Sequence, residues 1–304
     1  MNGRIAIITD DPGWHGKRLR RAFAAQGYGS TFLSLTECRM DLEGGVGGLV
    51  LPSYEDRLPD GVFVRGVPGG SLEQVVLRLD FLHLLPALGV PVYNSARAIE
   101  KSVDKAMTSL LLHQAGIPTP ATWVCESEHQ ARTVLMREVA RGGELVLKPL
   151  FGSQGTGLRR LARPADLPPA QDYRCVYYLQ RYIGAVAEGW EDYRVLVIGG
   201  RSRAAMTRRG IGWINNVAQG GACLPAPEEP GLFQLSEAAT RALDMDYAGV
   251  DLMRDRDGRL VVIEVNSIPA WRGLQGVTQP DIASLLAHDF IDRHVAPGQL
   301  ERRA

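Results

Sequence analysis

The chain has 304 residues, enough for two or three domains with a substantial core, and its 34 Lys and Arg residues balance its 34 Asp and Glu residues. Zero net charge favours neither nucleic acid nor a membrane as a partner. The four cysteines are far apart and form no CxxC pair, which argues against a zinc site or a disulfide framework. Without a signal-peptide pattern or a stretch of about 18 apolar residues, we expect a soluble, cytoplasmic protein.

The first part of the chain alternates short apolar runs with helical patterns. Strands are predicted at 4–9, 28–35, 49–52 and 61–65, and helices at 15–26 and 71–88. Ser71 and Gln74 have the spacing of a capping box at the start of the second helix. The alternation predicts a doubly wound α/β domain. No G-x-G-x-x-G follows its first strand, so a dinucleotide site is not predicted there.

A helix is predicted over 95–115, and a strand with a glycine-rich loop follows it. The helix contains Lys105, which as a helix lysine is normally solvated. The segment 144–158 reads E-L-V-L-K-P-L-F-G-S-Q-G-T-G-L, with Lys148 on the strand. Glycines let backbone N–H groups approach phosphate oxygens, and a strand lysine adds a fixed positive charge. The loop therefore either binds phosphate or is an ordinary turn.

Further strands and a polar loop come next. A strand is predicted over 175–183, and a hairpin turns at Gly199-Gly200. Asp192, Arg194 and Arg208 lie at the base of this hairpin. The segment 210–221 is polar and rich in glycine, so it is either a loop facing a ligand or a mobile surface loop. Helices are predicted at 235–243 and 281–294.

The segment 247–269 predicts a β-hairpin with two acids on one face. Asp257-Gly258 is a strong signal for a two-residue turn, and such a turn places Asp251 opposite Glu264. Facing carboxylates destabilise a sheet unless a positive charge lies between them. Asn266 points to the same face as Glu264. Three oxygen ligands suit Mg²⁺, whereas the alternative is a solvated hairpin with acids on its outer face.

The order of these motifs resembles that of the ATP-grasp superfamily, and within it the RimK-like amino-acid ligases, over essentially the whole chain. The resemblance rests on D-K at 104–105, L-V-L-K-P-L-F-G-S-Q-G-T-G-L at 145–158, Q-R-Y-I at 180–183, D-Y-R at 192–194, G-V-D-L at 249–252 and I-E-V-N-S-I-P at 263–269. Two more segments, 64–74 and 94–105, resemble the branch that adds glutamate to tetrahydromethanopterin-type one-carbon coenzymes.

The resemblance implies a fold of mixed α/β lobes. It consists of a Rossmann-like N-terminal domain at 1–94, a central ATP-grasp lid at 95–187, and a C-terminal ATP-grasp subdomain with a metal site at 188–304. It also implies an ATP- and Mg²⁺-dependent carboxylate–amine ligase, with Mn²⁺ as a substitute metal. In such enzymes a carboxylate attacks the γ-phosphate, and an amine displaces phosphate from the resulting acyl phosphate.

The resemblance also implies roles for particular residues. The residues that would bind ATP are Lys105, Lys148, Gly152, Ser153, Gln154, Gly155, Gly157, Gln180, Arg181, Tyr182, Ile183 and Asp192. Asp251, Glu264 and Asn266 would hold the metal. Arg208 would stabilise the acyl phosphate, Arg194 would orient the substrate, and Asn216 belongs to the catalytic loop. Each arginine could instead be a structural ion-pair partner.

One departure from the family pattern concerns the substrate. Two loop positions that carry arginine in RimK-like proteins hold Ile214 and Gln219 here. We still expect small carboxylic-acid and amino-acid substrates, with L-glutamate first, no nucleic acid and no membrane, and either a monomer or a homo-oligomer. Alternatives are ligation to a peptide or protein C-terminus, a non-catalytic ATP-binding regulatory module, and a kinase acting on a hydroxyl.

Overall fold

The N-terminal residues form a parallel sheet, as the alternation of strands and helices predicts. The computed structural model describes residues 3–152, 155–184, 190–210, 212–214 and 220–301. Its first elements are β1 (Gly3–Ile8), α1 (Gly13–Ala25), β2 (Tyr28–Leu33), β3 (Arg39–Met40), β4 (Leu49–Val50), β5 (Gly61–Val64), α2 (Leu72–Ala87) and β6 (Val92–Tyr93). The strand order is β2-β1-β5-β6, with β3 and β4 as a separate pair. Ser71 and Gln74 form the predicted capping box.

The single helix predicted over 95–115 is wrong, because two helices occupy this segment. They are α3 (Ala96–Val103) and α4 (Lys105–Gln114), and they meet at Asp104. Asp104 has an extended backbone, with φ −85° and ψ 100°. Its carboxylate accepts hydrogen bonds from the N–H groups of Ala106 (2.9 Å) and Met107 (3.1 Å). Asp104 therefore caps α4 and makes Lys105 its first residue.

A second sheet is antiparallel and contains the glycine-rich segment at one edge. Its elements are β7 (Thr122–Cys125), α5 (Glu128–Ala140), β8 (Leu145–Lys148), β9 (Arg159–Leu161) and β10 (Tyr177–Arg181), with strand order β7-β10-β8-β9. Strands β8 and β9 flank the glycine-rich segment. Helix α5 is absent from the sequence prediction. It buries Ala131 and Leu135 in one core with Leu147 and Leu179.

A third, five-stranded antiparallel sheet follows. Its elements are β11 (Trp190–Ile198), β12 (Arg201–Gly210), β13 (Ala222–Pro225), α6 (Pro230–Ala242), β14 (Tyr247–Arg254) and β15 (Leu260–Asn266), with strand order β13-β12-β11-β14-β15. Gly199 and Gly200 connect β11 to β12, with φ values of 60° and 74°. Two positive φ values in succession match the hairpin turn predicted from this pair of glycines.

The turn between β14 and β15 differs from the predicted one. Asp255 donates its N–H to the carbonyl of Arg259 (2.9 Å), and its own carbonyl accepts from Gly258 (2.9 Å). The loop thus contains three residues, 256–258, with Gly258 at φ 78°. The predicted two-residue turn is wrong because Gly258 occupies the left-handed last position of a longer turn.

A β-bulge compensates for this change of register. The pairing shifts by one residue between Asp251 and Leu252, so Leu252 lies opposite Val262 while Asp251 lies opposite Glu264. The extra residue of the bulge, Ile263, has no direct partner. The predicted Asp251–Glu264 pairing is therefore confirmed, although the two-residue turn from which it was derived is wrong.

The C-terminal helices return to the N-terminal sheet. They are α7 (Arg272–Gln275), α8 (Ile282–Phe290) and α9 (Ala296–Glu301), with a π-helical turn at Ile291–Val295 between the last two. Phe290 packs in one core with Phe63, Tyr93 and Tyr247. None of the helices in the described ranges has the length and apolar character needed to cross a membrane.

Candidate active site

A cavity of about 450 Å³ lies between the second and third sheets. It is lined by most of the residues that the sequence assigns to the site: Lys105, Lys148, Gly152, Gly155, Gln180, Arg181, Tyr182, Ile183, Asp192, Arg194, Arg208, Asp251, Glu264 and Asn266. Gly157 does not line it; its carbonyl accepts a hydrogen bond from the Tyr173 hydroxyl (2.7 Å). Ser153, Gln154, Asn216 and Gln219 lie outside the described residues.

Two lysines on different elements, Lys105 on α4 and Lys148 on β8, line the cavity. Lys148 donates to Gln180 Oε1 (2.6 Å), and Lys105 donates to the carbonyl of Gly152 (2.8 Å). Burial lowers the pKa of Lys148 to about 8, with Lys105 lowering it further and the carboxylate of Glu264 opposing this change. The pKa of Lys105 is also lowered by burial. Both ammonium groups are bonded to neutral oxygens, so an anion placed here would stabilise their charged forms.

Two arginines and two aspartates form a buried ion cluster on the third sheet. Arg194 binds Asp251 through two parallel hydrogen bonds, Nε to Oδ1 and Nη2 to Oδ2, each of 2.7 Å. Arg208 contacts Asp251 Oδ2 at 3.0 Å and also bonds to Asp192. The strand register explains the cluster, because Asp192 pairs with Arg208 and Arg194 pairs with Asp251.

The cluster has opposite effects on its two acids. Burial raises the pKa of Asp192 to about 6, although Arg208 acts against this. Burial also works against the ionised form of Asp251, but Arg194 and Arg208 outweigh it and lower the pKa of Asp251. Asp251 is therefore ionised at neutral pH, and the two guanidinium groups are the positive charge that the facing acids require.

The residues present fit a hard cation. Glu264 is partly buried, and its carboxylate makes no hydrogen bond or ion pair within the described ranges. Asn266 donates its amide to the Gly249 carbonyl at 3.4 Å, which leaves its Oδ1 for another partner. Asp251 Oδ1 accepts one hydrogen bond from the described residues, that of Arg194 Nε. Three oxygens are thus available, as Mg²⁺ prefers, although no group of three His, Cys, Asp or Glu side chains occurs among the described residues.

The end of β10 presents a limited set of backbone groups. The N–H groups of Arg181 and Tyr182 already donate to Ala121 (2.8 Å) and Glu144 (2.9 Å). Strand pairing ends after Arg181, and Ile183 lines the cavity. A base bound at this strand end would therefore use the carbonyl of Arg181 and the N–H of Ile183 rather than the N–H groups before them.

Several apolar residues of the cavity wall are missing from the sequence prediction. Val146 and Met253 line it, each two residues along a strand from a predicted polar residue, Lys148 and Asp251 respectively. Residues two positions apart on a strand share a face, and this signal could have found both. Ile263 also lines the cavity, but it belongs to the bulge, which the sequence pattern does not reveal.

Two curated relatives cover most of the chain. The tetrahydromethanopterin:alpha-L-glutamate ligase of Methanocaldococcus jannaschii is 34% identical, over 79% of this chain and 81% of that protein. The enzyme of the same name from Methanococcus maripaludis is 33% identical, over 76% of this chain and 78% of that protein.

Among solved structures, the ATP-grasp ligase PsnB complexed with minimal precursor superimposes with a TM-score of 0.74 at 20% identity, covering 96% of this chain and 99% of that one. PsnB has also been solved with Mg and ADP. The parallel sheet, the two antiparallel sheets and the cavity between the latter thus define an ATP-grasp ligase, an enzyme that forms C–N bonds. Residues 102–290 match the RimK-like ATP-grasp domain, and the chain belongs to this family.

Proposed function

We propose that the protein is an ATP- and Mg²⁺-dependent ligase that joins an amino acid, with L-glutamate first, to a small carboxylic acid. The observation that carries this proposal is that one cavity is lined both by two lysines, Lys105 and Lys148, and by three possible metal ligands, Asp251, Glu264 and Asn266. Phosphoryl transfer depends on positioning and charge neutralisation, for which these groups are suited. Mn²⁺ would substitute for Mg²⁺ at the same oxygens.

In the proposed reaction the acceptor carboxylate attacks the terminal phosphorus of ATP, and ADP leaves. The amine then attacks the acyl carbon, loses a proton and expels phosphate, which leaves an amide. Lys105, Lys148 and the glycine segment, with Ser153 and Gln154, would hold the phosphates. Asp251, Glu264 and Asn266 would hold Mg²⁺, which when bound neutralises charge on the phosphate oxygens.

The remaining roles are also proposals. Arg208 would stabilise the acyl phosphate and Arg194 would orient the substrate, since both line the cavity. Their ion pairs with Asp251 support the additional role of holding this carboxylate in place. Asn216 would act in the catalytic loop, and Asp192 at the nucleotide.

We propose a tetrahydromethanopterin-type coenzyme precursor as the acceptor, on the basis of the names of the two relatives at 33% and 34% identity. A peptide or protein C-terminus is the alternative acceptor; the complex of PsnB with a precursor peptide supports it. For the lobes, we propose boundaries at 1–94, 95–187 and 188–304, because each part then contains one of the three larger sheets.

The test is a product balance. Purified protein incubated with ATP, Mg²⁺, L-glutamate and each candidate acceptor should release ADP and phosphate in equal amounts with amide. Formation of AMP and pyrophosphate would refute the mechanism. A phosphorylated product that survives hydroxylamine would instead indicate a kinase.

A second candidate is an ATP-binding regulatory module without turnover. Ile214 favours it, because this apolar side chain lines the cavity where the family pattern carries an arginine. Tight binding of ATP without ADP release across the whole acceptor panel would support the module over the ligase.

A further inference from the structure

A second cavity, of about 210 Å³, lies at the carboxyl ends of β1 and β5. Thr9 directly follows β1 and Arg65 directly follows β5, and both line it. In the strand order β2-β1-β5-β6, β2 pairs with one edge of β1 and β5 pairs with the other edge, so the strand order changes direction between β1 and β5. In open parallel sheets, ligands bind at this switch in strand order.

The start of α1 faces the same cavity. Gly13 and Gly16 both line it, and no side chain caps this 13-residue helix. The first N–H groups of a helix lack partners inside the helix and, with the helix dipole, favour an anion. Arg272 adds a second guanidinium to the lining, and it makes no hydrogen bond or ion pair within the described part of the chain.

Arg65 is fixed in place but incompletely bonded. Its guanidinium lies 4.5 Å from the centre of the Trp271 ring, and Nη1 donates to the Pro269 carbonyl (3.0 Å). Its Nε is buried without an acceptor in the described structure, as is the indole nitrogen of Trp271. Buried donors in proteins nearly always have an acceptor, so this region offers more donors than acceptors.

His15 contributes a donor rather than a charge. Its Nε2 accepts a hydrogen bond from the backbone N–H of Trp271 (3.1 Å). Burial lowers the pKa of His15 to about 4, and Arg65 and Arg272 contribute to the change. The neutral ring therefore carries its proton on Nδ1. One exposed acid, Asp11, also lines the cavity, so the two arginines leave one net positive charge there.

We propose that this second cavity is an anion subsite that binds a phosphate or carboxylate group of the acceptor substrate. Pro269 connects it to the active site: this residue lines the first cavity, and its carbonyl is held by Arg65 from the second. An acceptor with its reacting carboxylate in the first cavity and another anionic group beside Arg272 would be recognised at both ends. The assignment to the acceptor rests on the proposed ligase function, whereas anion binding does not.

The test is an NMR titration of the full chain saturated with AMPPNP and Mg²⁺, so that added anions compete less for the first cavity. Inorganic phosphate is added in one arm and malonate in the other. We expect saturable shifts of the Gly13, Trp14 and His15 amide signals, because the Gly16 N–H already donates to the Pro12 carbonyl. Arg272→Gln should weaken this binding roughly tenfold, as expected for a charge-assisted hydrogen bond. Arg21→Gln, an equal change of charge at an exposed position of α1, should bind as the unaltered protein does.

The outcomes separate the anion subsite from the ligase function. A response to only one probe would identify the group as phosphate or carboxylate. No shift at the start of α1 with either anion, or equal affinity in Arg272→Gln and the unaltered protein, would overturn the subsite. With an acceptor that supports turnover, Arg272→Gln should raise the KM for the acceptor and leave the KM for ATP unchanged; an unchanged acceptor KM would overturn the assignment to the acceptor. Anion binding without any ligase activity would retain the subsite and reject the proposed function.

Discussion

Glu264→Gln should remove activity without weakening the fold. The Glu264 carboxylate makes no hydrogen bond or ion pair within the described ranges, and it lies directly opposite the ionised Asp251. Like charges in this relation destabilise a sheet by about 0.2–1 kcal/mol. Glutamine keeps the size of the side chain and removes the charge. The change relieves the repulsion from Asp251 but also removes the attraction to Lys105 and Lys148. We therefore expect the free energy of unfolding to stay within about 1 kcal/mol of that of the unaltered protein.

Asp251→Asn is the matched variant, because it removes one charge from the facing residue. Here the carboxylate accepts three bonds, two of 2.7 Å from Arg194 and one of 3.0 Å from Arg208. Its loss leaves two guanidinium groups with less compensation in a buried site. Breaking a buried ion pair costs about 3–5 kcal/mol, so this variant should be much less stable.

The two variants are compared by urea denaturation and by ADP release. Each replaces a proposed metal ligand, so turnover should fall at least about 100-fold in both, since even groups that only orient a metal ligand contribute 10–100-fold. Only Asp251→Asn should shift the urea midpoint strongly. Full activity of Glu264→Gln at saturating ATP and Mg²⁺ would refute its metal role. A loss of stability equal to that of Asp251→Asn would refute the reasoning from the ion cluster.

Further predictions concern three single residues. Lys148→Met should weaken ATP binding roughly tenfold or more, measured by calorimetry, since it removes a charge-assisted contact. Burial lowers the pKa of Lys148 from 10.5 to about 8 in the folded apo-protein. Between these two pH values the unfolded chain therefore keeps a proton that the folded protein has lost, so the free energy of unfolding should rise with pH. Urea midpoints of the unaltered protein, compared with those of Lys148→Met, should show this rise. Asn94→Ala should cost about 3 kcal/mol by urea denaturation, because the buried amide donates to Tyr247 (2.7 Å) and Ser267 (2.9 Å) and accepts from Asp246 (2.7 Å). Asp104→Ala should cost about 1 kcal/mol through the lost helix cap and speed hydrogen exchange at the amides of Ala106 and Met107, whereas Asp104→Asn should preserve both.

The sequence predicted the order of elements better than their boundaries. The spacing of apolar residues predicted one helix where the structure has α3 and α4. Asp104 ends the helical backbone between them, but an aspartate at this position does not change the pattern of polar and apolar residues. The hairpin turn failed for a related reason: Asp-Gly occurs in both two-residue and three-residue loops, and the difference depends on the flanking pairs. The bulge after Asp251 has no sequence signal, yet it restores the pairing on which the metal prediction depended.

The site was predicted as a set of residues but not as a set of contacts. The motifs named all of the charged residues that line the first cavity except Glu191, but they missed uncharged polar residues such as Ser109 and Tyr178. They did not show that Arg194 and Arg208 both contact Asp251, because this follows from the alignment of the β11–β12 hairpin with β14, which is distant in sequence. The second cavity likewise depends on two strand ends, Thr9 and Arg65, which only the sheet order brings together.

The ion cluster determines which charges remain for a polyphosphate. Arg194 and Arg208 are balanced by Asp192 and Asp251. Lys105 and Lys148 both interact with Glu264, and these three residues together carry one net positive charge. A single charge is little for a triphosphate, so affinity must come largely from a divalent cation and from backbone donors of the glycine segment. Nucleotide binding and stability should therefore be separable at Glu264 and Lys148, and inseparable within the cluster, where each charge also holds the sheet together.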